Sequence, residues 1–339
     1  MRPRGARRRG PAGRRARRWI LAAVAAVAAV QFTAACGGSD NETSDTRPGH
    51  TFVSHEQRVG PRLIDLTIQS RALGTAAMVR VMTPDGWSPG RGGRRWPVFY
   101  LLHGCCDTYD SWTRSTDIEE LPQLRHVLVV MPEAGTVGFY SNWLGSVDGK
   151  APAWETFHLT ELPRILERDY GAGTPRVVAG QSMGGLGAMG YSERRPGFFQ
   201  AAASFSGLLH PRADPDFLLG LFSHFTPHPR AIWGDPEKQR DVWAHHDPTE
   251  LAARLRGMRL FVSSGDGTPG PFNNPDARRD PIEPTVLRES RAFVDRLRRL
   301  NIPAQVDFYG PGMHDWPYWE REMKRSLPML LAGLRRGDR

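Results

Sequence analysis

The sequence predicts an α/β fold built on one mostly parallel, doubly wound sheet. Short apolar runs of strand length alternate with longer amphipathic stretches from residue 97 to the C-terminal region, the pattern of strands joined by crossover helices. The central runs, Pro97-Val98-Phe99-Tyr100-Leu101-Leu102 and Val127-Leu128-Val129-Val130-Met131, are almost continuously apolar, as strands covered on both faces must be. A third run, Arg176-Val177-Val178-Ala179, passes directly into Gly180-Gln181-Ser182-Met183-Gly184-Gly185, where small residues continue as a helix. That G-x-S-x-G between strand and helix has the form of the nucleophile elbow of the α/β-hydrolase fold, a tight turn that lifts a serine above the sheet. The glycines serve the crowding of that turn, where a Cβ at position 180 or 184 would meet strand or helix.

The chain has 339 residues and a net charge of +9, a surplus that sits in a leader. Residues 1–35 hold nine arginines and no acid, so basic and acidic residues balance over the remainder. Without clustered positive charge on the body, nucleic acid is not expected as a partner. Within the leader, the stretch from Trp19 to Val30 is short and alanine-rich, as in an export signal rather than a membrane span. Thr33-Ala34-Ala35-Cys36 resembles a bacterial lipobox, which makes Cys36 the expected lipid attachment point and gives the protein a membrane anchor; plain secretion is the alternative. Residues 36–51 are small and polar and read as a flexible tether. The catalytic domain is then 52–339.

In that domain Leu63-Ile64-Asp65-Leu66-Thr67-Ile68 alternates with period two, and Ala76 to Met82 is a second strand. The runs at 97–102 and 127–131 follow, then an amphipathic helix from Trp154 to Tyr170, then the elbow. Gln200 to Ser206, Arg259 to Ser263 and Gln305 to Tyr309 supply later strands, and Thr285 to Leu300 and Trp316 to Leu331 later helices. Residues 207–257 interrupt this alternation with prolines and the apolar knot Phe217-Leu218-Leu219-Gly220-Leu221-Phe222. The segment is read as a lid-like insertion or acyl-binding wall, with a plain packed helix the equal alternative. His245 and His246 read as surface residues, and Asp247 as the cap of a short helix. Besides Cys36 the only cysteines are the adjacent Cys105 and Cys106. Neighbouring Cα atoms lie about 3.8 Å apart, below the separation a relaxed disulfide prefers, so no disulfide is expected.

A serine hydroxyl needs a base, and that base an orienting acid. His314, in Gly310-Pro311-Gly312-Met313-His314-Asp315-Trp316, follows the last strand and fits the serine-then-histidine order of the fold. Asp266 and Glu283 both qualify as the acid: Asp266 directly follows a strand, and Glu283 opens the next helix. The oxyanion formed on a substrate needs two amide donors, for which Met183, after the nucleophile, and Cys105, after the His103-Gly104 strand end, are placed. No metal or organic cofactor is implied.

These stretches together resemble the esterase branch of the α/β-hydrolases, in particular the antigen 85 mycolyltransferases and esterase D-like enzymes. The similarity lies in Tyr100-Leu101-Leu102-His103-Gly104, Met131-Pro132 with Phe139-Tyr140-Ser141-Asn142-Trp143, and Trp154-Glu155-Thr156-Phe157 with Glu161-Leu162-Pro163. It continues through Gly180-Gln181-Ser182-Met183, Gly265-Asp266-Gly267-Thr268-Pro269 and His314-Asp315-Trp316-Pro317-Tyr318-Trp319. The resemblance implies a serine nucleophile at Ser182, a histidine base at His314, and oxyanion donors at Cys105 and Met183. It also favours Glu283 over Asp266 as the acid. His103 and Cys106 stand where the mycolyltransferases carry an aspartate and an arginine of their trehalose-binding surface, which sets this chain apart from a trehalose acceptor. The implied function is an exported serine esterase or acyltransferase acting on small-molecule or lipid esters. A non-catalytic cell-envelope binding protein on a hydrolase fold is the rival, because fold alone does not fix function.

Overall fold

The computed structural model describes residues 50–90 and 93–335. The expected leader at 1–35, the lipid attachment at Cys36 and the tether as far as residue 49 lie outside the described residues. Among those described, nine strands form one sheet: β1 (Phe52–Arg58), β2 (Leu63–Ser70), β3 (Thr75–Met82), β4 (Trp96–Leu102), β5 (Leu128–Pro132), β6 (Ala172–Gln181), β7 (Ala201–Phe205), β8 (Arg259–Ser264) and β9 (Gln305–Phe308). Their order across the sheet is β1-β2-β3-β5-β4-β6-β7-β8-β9. β1, β2, β3 and β5 pair antiparallel in sequence, and every pair from β5 to β9 is parallel. This is the mostly parallel, doubly wound α/β-hydrolase sheet that the alternation predicts.

The strand order reverses at β4. The chain goes from β4 outward to β5, then crosses back to place β6 on the other side of β4. Such a reversal opens a crevice at the carboxyl ends of the two central strands, where α/β sheets bind ligands. The register brings those ends level, with Leu102 beside Gly180, Gln181 beside Phe205, and Ser264 beside Phe308. Whatever follows β4, β6, β7, β8 and β9 therefore emerges along one rim.

Both faces of the sheet are covered. Val98, Tyr100, Leu102, Val130 and Val178 face one apolar cluster, and Phe99, Leu101, Val129, Val177 and Ala179 face the other, the alternation a pleated strand imposes. The expected helix at Trp154–Tyr170 forms with a wide turn at Phe157–Glu161 ahead of the regular helix Leu162–Asp169. Pro163 explains it: its ring has no N–H to return to Leu159 and crowds that carbonyl, so the helix widens before it. The Leu159 carbonyl instead accepts a hydrogen bond from the Arg195 guanidinium.

The insertion at 207–257 is a series of short helices. Leu218 and Phe222 of helix Pro215–Ser223 are buried, while Phe217, Leu219 and Leu221 are partly covered. Phe222 packs edge-on against Phe139 at 4.5 Å and Trp233 at 5.8 Å, and Trp233 against Trp243 at 5.3 Å. The knot is thus a packed aromatic core that ties the insertion to the loop after β5, where the amides of Leu144 and Gly145 donate to Ile232 and Ala231. Asp247 caps its helix as expected, accepting from the amides of Thr249 and Glu250. His245 is exposed, but His246 is not the surface residue expected: it is buried, stacked on Trp233 at 5.1 Å. Burial holds its imidazole well below the usual histidine range.

Candidate active site

β6 ends in a turn whose geometry follows from its glycines. Ser182 has φ +53° and ψ −120°, a conformation disfavoured for any residue with a Cβ. Its amide donates to the Phe205 carbonyl of β7 at 2.9 Å, which holds the turn against the neighbouring strand. A Cβ at Gly180 would run into the Gly184 carbonyl, and one at Gly184 would lie 2.5 Å from Leu102 O and 2.6 Å from His103 O. The elbow helix, Met183–Arg194, is thereby seated directly on the end of β4. Met183 begins that helix, where an amide has no intrahelical acceptor.

The structure brings His314 between Ser182 and Glu283. His314 Nε2 lies 2.9 Å from Ser182 Oγ, and His314 Nδ1 lies 2.6 Å from Glu283 Oε2. Because an ionised carboxylate oxygen only accepts, Nδ1 carries the proton and Nε2 is left to accept from the serine hydroxyl. Glu283 is fully buried. Its other oxygen, Oε1, accepts from Ser206 Oγ at 2.7 Å, Ser264 Oγ at 2.9 Å and the Gly265 amide at 2.7 Å. Ser206 and Ser264 are the residues that follow or end β7 and β8, so the parallel register itself delivers these donors. The sequence reading does not include them; serines at strand ends carry no pattern of their own.

Two aspartates free these side chains for one another. Ahead of the helix Glu283–Arg299, Asp280 Oδ1 accepts from the amides of Ile282 and Glu283 at 2.8 Å each, so the Glu283 carboxylate is not needed there. Asp315 caps Trp316–Leu334, accepting from Trp316 N, and leaves the preceding His314 ring free. Trp319, one turn into that helix, meets the His314 ring edge-to-face at 4.9 Å. Asp266, the other candidate acid, turns back on its own loop: its Oδ1 accepts from the amide and hydroxyl of Thr268 at 2.8 and 2.5 Å. The Asp266 and Gly267 amides donate to Gly310 and Gly312 at 2.9 Å, so this turn braces the loop that carries His314.

Cys105 follows β4 at the same rim. His103 before it is buried, with Nδ1 donating to Gly104 O at 2.7 Å and Nε2 accepting from the Ala134 amide at 2.9 Å, while Tyr140 OH donates to the His103 carbonyl at 2.8 Å. The Cys106 amide donates to Thr136 O at 3.0 Å. Cys105 and Cys106 are joined by a disulfide, which corrects the expectation that neighbours cannot pair. The bond forms where Cys106 takes the left-handed region, with φ +68°.

The fold and this rim can be set beside known proteins. The family profile described as "Putative esterase" matches residues 70–330. Esterase Rv1288 of Mycobacterium tuberculosis (strain ATCC 25618 / H37Rv) is 33% identical over 255 residues, covering 72% of this chain and 54% of that protein, so the match spans about half of that relative's length. A diacylglycerol acyltransferase/mycolyltransferase, Ag85B of Mycolicibacterium smegmatis, is 29% identical over 332 residues, covering 94% of this chain and 96% of that one. Among solved structures, Mycobacterium tuberculosis MPT51 superposes with a TM-score of 0.66 at 24% identity, over 81% of this chain and all of that chain. An S-formylglutathione hydrolase from Agrobacterium tumefaciens gives 0.63 at 15% identity, over 82% of this chain and 99% of that one. The family supports an esterase or acyltransferase activity, and the chain belongs to this esterase family of the α/β-hydrolases.

Proposed function

We propose that the protein is an exported serine esterase or acyltransferase that works through an acyl-enzyme on Ser182. Ser182 Oγ attacks the ester carbonyl while His314 Nε2 takes its proton; Glu283 holds the imidazole in the required tautomer and stabilises the imidazolium. The amides of Cys105 and Met183 hold the oxyanion. His314 then returns the proton to the leaving alkoxide, and water or an alcohol, activated by the same imidazole, releases the acyl group. The substrate class is a small-molecule or lipid ester.

The single observation that carries this reading is the hydrogen-bonded series Ser182–His314–Glu283, 2.9 and 2.6 Å apart, ending on a fully buried carboxylate with three further donors. A binding protein has no use for such a buried, fully satisfied acid behind a histidine. A trehalose acceptor is disfavoured, because His103 is 1% exposed with both ring nitrogens engaged and has nothing to offer a sugar. Export and anchoring rest on the arginine-rich leader and on Cys36 in its Ala-Ala-Cys-Gly setting. The test is turnover of short activated esters by the wild type and by Ser182→Ala. The variant should stay folded and lose at least about 10³-fold in kcat; turnover at the wild-type rate would refute the mechanism.

A further inference from the structure

We propose that His103 is a positioning residue for the reaction: through its Nδ1–H it holds the peptide unit between Gly104 and Cys105, and so aims the Cys105 amide as an oxyanion donor. The proposal rests on the reading of Ser182 as the acyl-transfer nucleophile and of Cys105 as a donor to its oxyanion.

The Gly104 carbonyl and the Cys105 N–H belong to one planar unit, and because the peptide is trans they point in opposite directions. Whatever fixes the carbonyl therefore fixes the N–H. Residue 104 sets no such limit by itself, since glycine has no Cβ to restrict its backbone rotations. A larger residue has no room there: a Cβ at Gly104 would run into the side chain of Gln181, the elbow residue before Ser182. The restraint comes instead from His103, whose Nδ1 lies 2.7 Å from Gly104 O. On the far side of the same unit, the Cys105 amide donates to no protein acceptor among the described residues and is left for a ligand. A hydrogen bond accepted by an amide carbonyl also polarises the N–H of that amide, so the contact strengthens the donor as well as aiming it.

The His103 ring is itself held in one orientation and one tautomer. A carbonyl oxygen only accepts, so Nδ1 carries the proton; an amide only donates, so Nε2, 2.9 Å from Ala134 N, is bare. Glu133 Oε1 stands 3.6 Å from Nε2, beyond hydrogen-bonding reach, and accepts from the Gly135 amide at 2.8 Å. The backbone around the ring has restraints of its own. Trp112 Nε1 donates to Leu102 O at 3.0 Å and Tyr140 OH to His103 O at 2.8 Å, and Gly184 is seated on the Leu102 and His103 carbonyls. The end of β4 is thus fixed against the elbow without the ring, and what Nδ1 adds is local to one peptide unit. Its loss should fall on oxyanion stabilisation, in kcat, and not on substrate binding.

The test compares the wild type with His103→Asn and His103→Gln. The asparagine amide falls near the Nδ1 position and keeps a donor for Gly104 O. The glutamine amide reaches the Nε2 position, keeps an acceptor for the Ala134 amide and leaves Gly104 O unheld. Each variant gives up one of the two buried hydrogen bonds, so the melting temperatures should fall alike while the rates part. On an activated ester, His103→Gln should lose about ten- to a hundredfold in kcat with KM little changed, less than the loss from deleting an oxyanion donor outright. His103→Asn should lose less than about fivefold. A trifluoromethyl ketone, whose adduct on Ser182 carries the oxyanion, should bind His103→Gln more weakly by a similar factor and His103→Asn nearly as well as the wild type. Nitrogen NMR of wild-type protein labelled at histidine should show His103 with Nδ1 protonated and Nε2 bare, a reading that needs no variant to fold. A protonated Nε2, wild-type kcat in His103→Gln, equal losses in the two variants, or a loss carried by KM alone each overturns the proposal while leaving the role of Ser182 standing. Absence of ester turnover in the wild type overturns the role of Ser182 and the proposal with it.

Discussion

Replacing Glu283 with glutamine separates the two candidate acids and has a magnitude that follows from the contacts. Glu283 presents one oxygen to three donors, Ser206 Oγ, Ser264 Oγ and the Gly265 amide, and the other to His314 Nδ1. A glutamine of the same shape has one acceptor and one donor end. Its carbonyl belongs with the Gly265 amide, which cannot reverse its direction. Its NH₂ then faces His314 Nδ1 and forces the proton onto Nε2, where it can no longer accept from Ser182. The wrong tautomer costs about 10⁴ in kcat, or about 5 kcal/mol of transition-state stabilisation. The opposite flip keeps the histidine but buries an N–H against N–H clash, costing about 1–3 kcal/mol of stability. Asp266→Asn, by contrast, keeps an oxygen for the Thr268 amide and should change kcat by less than about tenfold, since it touches no member of the series. Steady-state hydrolysis of an activated ester, with a melting curve for each variant, reads both. A large loss confined to Asp266→Asn, or near-normal turnover by folded Glu283→Gln, would refute the reasoning.

Three further outcomes are expected. Glu289 is buried at the base of the insertion, and desolvation, with Asp247 nearby, pushes its carboxyl up to about 7 against the opposing His210 amide and imidazole. A folded-state pKa raised above the unfolded value means that this group's stabilisation is full below about pH 4.5 and is lost as pH rises through about 7, a loss of about 3 kcal/mol. Glu289→Gln should remove that part of the pH dependence and be the more stable protein at pH 8; urea unfolding at pH 5 and 8 checks it, and an unchanged difference between the two pH values counts against it. Gly184→Ala places a methyl 2.5 Å from Leu102 O and should cost about 1–3 kcal/mol and much of the activity, measured by unfolding and turnover; a variant of wild-type stability would show the seating to be loose. Expressed with its leader in a bacterium, the protein should partition into membranes through Cys36, and Cys36→Ala should lose the lipid; unmodified wild type free in the medium would point to plain secretion.

How much of this is legible in the sequence depends on whether the signal is hydrophobic. The buried strands β4, β5 and β6 announce themselves because both their faces must be apolar, and the elbow because its crowding demands glycines. β1 is invisible for the converse reason: it is an edge strand whose Glu56, Gln57 and Arg58 face solvent, so nothing alternates. Position directly after a strand favours Asp266 and only the family resemblance favours Glu283; the geometry that sets them apart comes from the level ends of β7 and β8, which no local pattern encodes. His246 is hidden from a local reading because its burial comes from Trp233, thirteen positions away. The disulfide escapes because it sits at one left-handed residue, Cys106.

The central claim is that Ser182 becomes acylated. Brief exposure of the protein to an activated ester, acid quenching, and mass spectrometry of the digested protein tests it directly. The account predicts one acyl group on the peptide that contains Ser182, formed faster than it is released, absent from Ser182→Ala, and discharged by added water-soluble alcohols or by water. Ester turnover with the acyl group on another residue, or undiminished turnover by Ser182→Ala, would contradict it.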